Sequence, residues 1–160
     1  MSYDFTLTAV IPATPRAIYD AWLDSRGHGA MTGSAAKMSA KLGAKVTAWG
    51  GYISGKNLEL VPGKRIVQSW RTTKFTDAHE DSTITVMLAA IKGGTRLTLR
   101  HANVPDGQTS YQKGGWRDHY FRPMQAYFAK QKPAKAKAAK RRPAKRKPAK
   151  RKAAKRKARK

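Results

Sequence analysis

The chain has 160 residues and a formal net charge of +25, with a mean hydropathy of −0.67, yet 40% of its residues are hydrophobic, so the polarity is concentrated in one place. The absence of cysteine excludes disulfides, thiolate nucleophiles and cysteine-bound zinc or iron–sulfur clusters. No apolar run approaches the ~20 residues of a membrane span, and the N-terminus has Asp4 and no basic n-region. A cytoplasmic protein is expected, held at the nucleoid in a bacterium or in the nucleus of a eukaryote.

Residues 1–130 hold 17 basic residues and all 9 acids, a charge of +8. They read as one globular domain. Over residues 5–13, Phe5, Leu7, Ala9 and Ile11 alternate with Thr6, Thr8 and Val10, which predicts a strand with one buried face. Thr14-Pro15 is an N-cap followed by proline at the first helical position. The helix over 15–24 is expected to bury Ile18, Ala21 and Trp22. Residues 24–33 form a polar, glycine-rich elbow, counted as a second helical piece, with Met31 its only large apolar residue. Two short strands are predicted over 35–42 and 44–49, then a break or bulge at Gly50-Gly51. Strands over 52–61 and 65–72 flank the turn Pro62-Gly63-Lys64. A polar, acidic loop covers 76–81. A second hairpin pairs 82–91 with 95–104 around Lys92-Gly93-Gly94, and Asp106-Gly107 closes the sheet. Residues 110–130 read as one long helix with Trp116, Tyr120, Met124 and Tyr127 as its apolar stripe. Gly114-Gly115 permits a close approach at its start, and Pro123 is expected to bend it.

A curved antiparallel sheet cannot bury its inner face alone, and one amphipathic helix laid across it would complete an α+β core. The segments TPRAIYDAWLDSRGHGAMTG, AWGGYISGKNLELVPGKRIVQSWR, GGTRLTLRHANVPDG and GGWRDHYFRPMQAYF resemble the SRPBCC (Bet v 1/START-like) superfamily. The branch is the one named after the activator of the heat-shock-protein-90 ATPase, and the likeness covers about residues 3–129. It implies the helix-grip fold: seven antiparallel strands around the last helix, often with a hydrophobic cavity between them, and no set reaction. It does not extend to the separate N-terminal chaperone-contacting domain of the eukaryotic activator. It departs from the family pattern at Leu42-Gly43-Ala44-Lys45-Val46, where a second glycine and an acid are usual, so that surface should be more positive.

His101 shares a strand face with Leu97 and Leu99 and should point into the concave side; Trp70 does so from the neighbouring strand with Ile66 and Gln68. With Trp49, Tyr52, Trp116, Tyr120 and Met124 these residues either line a cavity for a small hydrophobic ligand, His101 and Tyr120 being its polar handles, or fill the core. Among His28, His79, His101 and His119 no spacing suits a metal, and His79-Glu80-Asp81 reads as solvated loop charge. There is no G-x-S-x-G elbow and no phosphate-loop glycine pattern. No catalytic residue, metal or cofactor is assigned.

Residues 131–160 contain 17 Lys/Arg, nine Ala, three Pro and one Gln. They are expected to be a disordered basic tail, because they offer nothing to bury against the cost of ordering them. From residue 138 the sequence repeats in fives, which spreads cations around any helix, and Pro143 and Pro148 interrupt one. The composition resembles the C-terminal arm of linker histones and the Pro-Ala-Lys repeats of some bacterial nucleoid proteins. It predicts sequence-independent contact with nucleic-acid phosphates, DNA being the expected partner, through Lys140, Arg141, Arg142, Lys145, Arg146, Lys147, Lys150, Arg151, Lys152, Lys155, Arg156, Lys157, Arg159 and Lys160. A solubilising tail, an import signal and a contact for anionic membrane are the other readings. The three functions in view are therefore a domain tethered to nucleic acid, a carrier of a small hydrophobic ligand, and a chaperone-associated accessory protein.

Overall fold

The computed structural model describes residues 2–135. The tail cations named above lie outside the described residues. Six antiparallel strands form one sheet: β1 (Ser2–Ile11), β2 (Lys45–Ala48), β3 (Ile53–Val61), β4 (Arg65–Thr72), β5 (Ser82–Ile91) and β6 (Gly94–Pro105), in the spatial order β1-β6-β5-β4-β3-β2. Two short helices, α1 (Pro15–Trp22) and α2 (Ser25–Thr32), follow the first strand, and α3 (Arg122–Lys135) is the last described element. This is the helix-grip architecture, α+β in class.

Each element has a local cause. Thr14 caps α1 by accepting the Ala17 amide, with Pro15 at the first turn. The expected elbow is a helix, α2, because Asp24 accepts the Gly27 amide at 2.7 Å and Gly33 supplies the left-handed C-cap (φ 83°). In β4, Ile66, Gln68 and Trp70 fall on the buried face, as do Leu97, Leu99 and His101 in β6. The core joins both sheet halves to the last helical segment, from Phe5 to Phe128. α1 buries Ile18, Tyr19 and Trp22, whereas Ala21 is half-buried.

Two expectations are corrected. The seventh strand, over 35–42, is reduced to a single bridge between Lys37 and Thr47. The cause is Asn57. Its buried side-chain amide donates to the carbonyls of Ser39 (2.8 Å) and Lys41 (2.9 Å), replacing strand pairing with side-chain bonds and bending that segment into a loop. The long helix over 110–130 is likewise not continuous: π-turns at Tyr111–Gly115 and Arg117–Phe121 precede α3. Pro123 lies at the second residue of α3, where the bonding register passes from i→i+5 to i→i+4 and a missing N–H is tolerated. Register change also shifts the stripe. Trp116, Tyr120 and Met124 are buried, but Tyr127 is only half-buried and Phe121 and Phe128 take its share. α3 runs to Lys135.

Candidate functional site

The inner face of β4 and β6 carries aromatic and imidazole rings against the last helical segment. Trp70 stands at 4.6 Å from His101 (ring centroids) and 5.4 Å from Trp116, and His101 at 5.8 Å from Trp116. The three rings therefore pack on one another where an enclosed cavity was one of the two expectations. Trp116 also meets Tyr120 at 4.9 Å, and Tyr120 meets Trp22 at 5.2 Å.

Two buried histidines brace this cluster, and their tautomers follow from their partners. Trp116 can only donate, so its Nε1–H bonds His101 Nδ1 (3.1 Å), and His101 Nε2 bears the hydrogen that Ser82 Oγ accepts (2.9 Å). Ser82 in turn donates to the carbonyl of Trp70. His101 is 0% exposed, and burial pushes its pKa down to about 3. The Ser82–His101 pair thus runs opposite to a nucleophile–base dyad: the imidazole N–H donates a hydrogen bond to the serine oxygen, and the serine's own hydroxyl donates to backbone. On the other side of the core, His28 Nδ1 donates to the Trp22 carbonyl (2.9 Å) and Nε2 accepts from the Tyr120 hydroxyl (2.9 Å). Burial lowers His28 to about 4 and raises the Tyr120 phenol. A third buried relay runs from Trp22 Nε1 to Gln68 Oε1 (3.1 Å) and from Gln68 Nε2 to Asn57 Oδ1 (2.8 Å), ending on the loop carbonyls already described.

Beside this packed interior a cleft of about 880 Å³ opens between the Trp49-Gly50-Gly51 turn and the π-helical segment. Trp49, Tyr52, Trp70, Trp116 and Tyr120 line it, as expected from the sequence, together with Tyr111, His119, Lys74 and Lys113, which were not. Leu97, Leu99, His101 and Met124 do not reach it; they lie beneath, fully buried in the core. Tyr111 escaped notice because it stands five residues before Trp116, a π-helical and not an α-helical spacing. At the expected bulge the chain makes a 3-10 turn in which Trp49 itself is left-handed (φ 54°), a costly conformation for a residue with a Cβ. Its ring packs edge-on against His119 at 5.3 Å. The Trp49 Nε1 is buried without a hydrogen-bond partner of good geometry, although the Tyr120 oxygen lies close enough to feel it as a donor. Gly115 gives the close approach anticipated at the helix start: a Cβ there would stand 3.0 Å from the Ser110 carbonyl.

Among the described residues no cluster of His, Asp or Glu could hold a metal ion, and no helix is long and apolar enough to cross a membrane. His79 serves its own loop, where Nδ1 accepts the Thr76 amide at 3.1 Å.

Residues 12–129 match the family model described as "Activator of Hsp90 ATPase homolog 1-like protein". The chain belongs to this family. It is 28% identical over 123 residues to the human "Activator of 90 kDa heat shock protein ATPase homolog 1", a match covering 77% of this chain and 36% of the human protein. A fission-yeast relative, "Uncharacterized protein C1711.08", is 25% identical over 125 residues, 78% of this chain and 37% of that one. The chain thus spans little more than a third of the length of these relatives. Among solved structures, an HSP90 activator from Plasmodium falciparum superposes with a TM-score of 0.72 at 24% identity, covering 79% of this chain and 96% of that one. The six-stranded sheet and last helix of this chain have the fold of that structure.

Proposed function

We propose that this protein is a non-enzymatic accessory of an Hsp90-class chaperone, acting by binding through its folded domain. The observation that carries the reading is the family match over residues 12–129, supported by its 28% identity to a human activator of the chaperone's ATPase. The chemistry agrees with a binding role, since the one buried Ser–His pair is wired so that neither atom serves as base or nucleophile. The test is titration of the full chain into a purified Hsp90-class chaperone from the same organism, with ATP turnover and complex formation both followed. Complex formation with a changed turnover is expected; absence of both overturns the reading.

A second element is carried by charge. Residues 131–160 hold 17 cations and no acid, which supports attachment of the same protein to nucleic acid through phosphate contacts, without base readout. The small hydrophobic ligand remains the alternative use of the aromatic cleft, whose volume falls in the range of ligand sites. Native mass spectrometry of protein recovered from its own cells separates the two: a stoichiometric small molecule supports the carrier, and a ligand-free chain counts against it.

A further inference from the structure

The β2 edge of the sheet carries cations that make no ion pair among the described residues. Lys45 and Lys56 are directly opposite in the β2–β3 ladder, a like-charge pairing that costs stability. Lys37 opposes Thr47, one row away on the same outer face, while Val46, Ala48 and Ile53 point into the core. No acid occurs between Asp24 and Glu59. Every ion pair among the described residues is made by arginine, and Lys37, Lys45 and Lys56 make none. Two large apolar side chains stand exposed beside these lysines: Leu42, 68% exposed, and Leu58, 45% exposed. They are held near one another by backbone. The Gly43 amide donates to the Asn57 carbonyl (2.8 Å) and the Asn57 amide to that of Ala44 (3.0 Å), which fastens the loop bearing Leu42 along the strand bearing Leu58.

We infer that this edge is a docking surface for an acidic face of a partner protein that offers an apolar socket to Leu42 and Leu58. Charge complementarity selects the acidic partner: Lys37, Lys45 and Lys56 pair with no carboxylate among the described residues, the nearby Glu59 being paired with Arg65, and are eased when carboxylates arrive from outside. The leucines select protein over nucleic acid, because a phosphate backbone has nothing for them to bury against, whereas an apolar contact ringed by charge is the anatomy of a protein interface. They also argue against a lipid surface, since the patch lies on a sheet edge and has neither the aromatic residues nor the amphipathic helix of an interfacial anchor. The inference rests on the chaperone-accessory reading and names the face that reading would use.

The experiment uses the full chain and the purified Hsp90-class chaperone, with a 20-base-pair duplex and phosphatidylserine vesicles as parallel probes. Lys45→Glu places a carboxylate opposite Lys56, so the variant should melt no lower than the wild type, yet bind the chaperone about tenfold more weakly. Leu42→Ser should weaken binding to a similar degree with an unchanged melting temperature. Lys92→Glu makes the same change in net charge on the distant β5–β6 turn and should bind as the wild type does. If the wild type binds but Lys45→Glu and Leu42→Ser bind equally well, or if Lys92→Glu loses as much, the docking face is wrong and the chaperone reading stands. Loss confined to the duplex or the vesicles also overturns it, in favour of that partner. A wild type that does not bind the chaperone overturns both.

Discussion

His101 and His28 show how a single side chain sets the behaviour of the interior. Each is neutral when folded because burial disfavours the charged imidazole, and each has both nitrogens hydrogen-bonded in that neutral form. In the unfolded chain both return to the ordinary histidine value near 6.5. As pH falls below that value the unfolded state takes up protons that the native state refuses. Stability is therefore full above about pH 6.5 and declines toward pH 4, with a slope of up to about 2.7 kcal/mol per pH unit when both sites contribute. Urea denaturation at pH 7, 6 and 5 checks this, and a stability independent of pH across that interval would show that the imidazoles ionise in place. The sequence already placed His101 on the concave side with Leu97 and Leu99, since period-2 alternation is a local property. It could not show that Trp116 and Ser82 would use both ring nitrogens, because those partners come from other elements. His28 was less legible still, lying in a polar stretch whose burial depends on Tyr120, 92 residues away.

At the scale of elements, the strands with clean alternation were the readable ones. β4, β5 and β6 lie within a residue or so of expectation, whereas residues 35–42 form a loop where alternation predicts a strand, because the decisive bonds come from the side chain of Asn57. The closing helix was misread for a related reason: apolar spacing at i, i+4 and i+8 marks a face but does not reveal an i→i+5 turn inside it. Backbone proximity gives the sharpest prediction here. A Cβ on Gly55 would stand 1.8 Å from the Ser69 carbonyl oxygen, so β3 and β4 could not keep their spacing. Gly55→Ala should destabilise the fold by about 3 kcal/mol or more. Gly93 has open space around it but φ 85°, and Gly93→Ala should cost only about 1–2 kcal/mol, through the left-handed backbone alone. Chemical denaturation of the two variants side by side tests the ordering; equal losses would mean that the sheet yields more readily than its geometry says.

For the whole molecule, charge per residue separates the body from the tail. The body has 17 cations diluted by 9 acids, and the tail has 17 with none. The hydrophobic cluster runs from Phe5 to Phe128, so ending the chain after Lys135 removes no core residue. If about ten tail cations meet phosphates, the full chain should lose duplex affinity with a log–log salt slope of roughly −9, and the shortened chain should show a far shallower one. Mobility-shift titrations at several salt concentrations measure both, and identical slopes would assign the contact to the body. Composition alone made the tail conspicuous. What the folded portion recognises was legible only as a family resemblance, because recognition depends on which side chains share a surface.

The clustered indoles have a practical corollary. Trp22, Trp70 and Trp116 are linked by ring contacts with one another or with Tyr120, all within about 5.5 Å. Aromatic rings at such separations couple, so these three indoles give the near-ultraviolet dichroism a component that straddles sheet and final helix, while Trp49 contributes separately. Any event that pries the helix from the sheet would rewrite that spectrum, and no dye need be attached to see it.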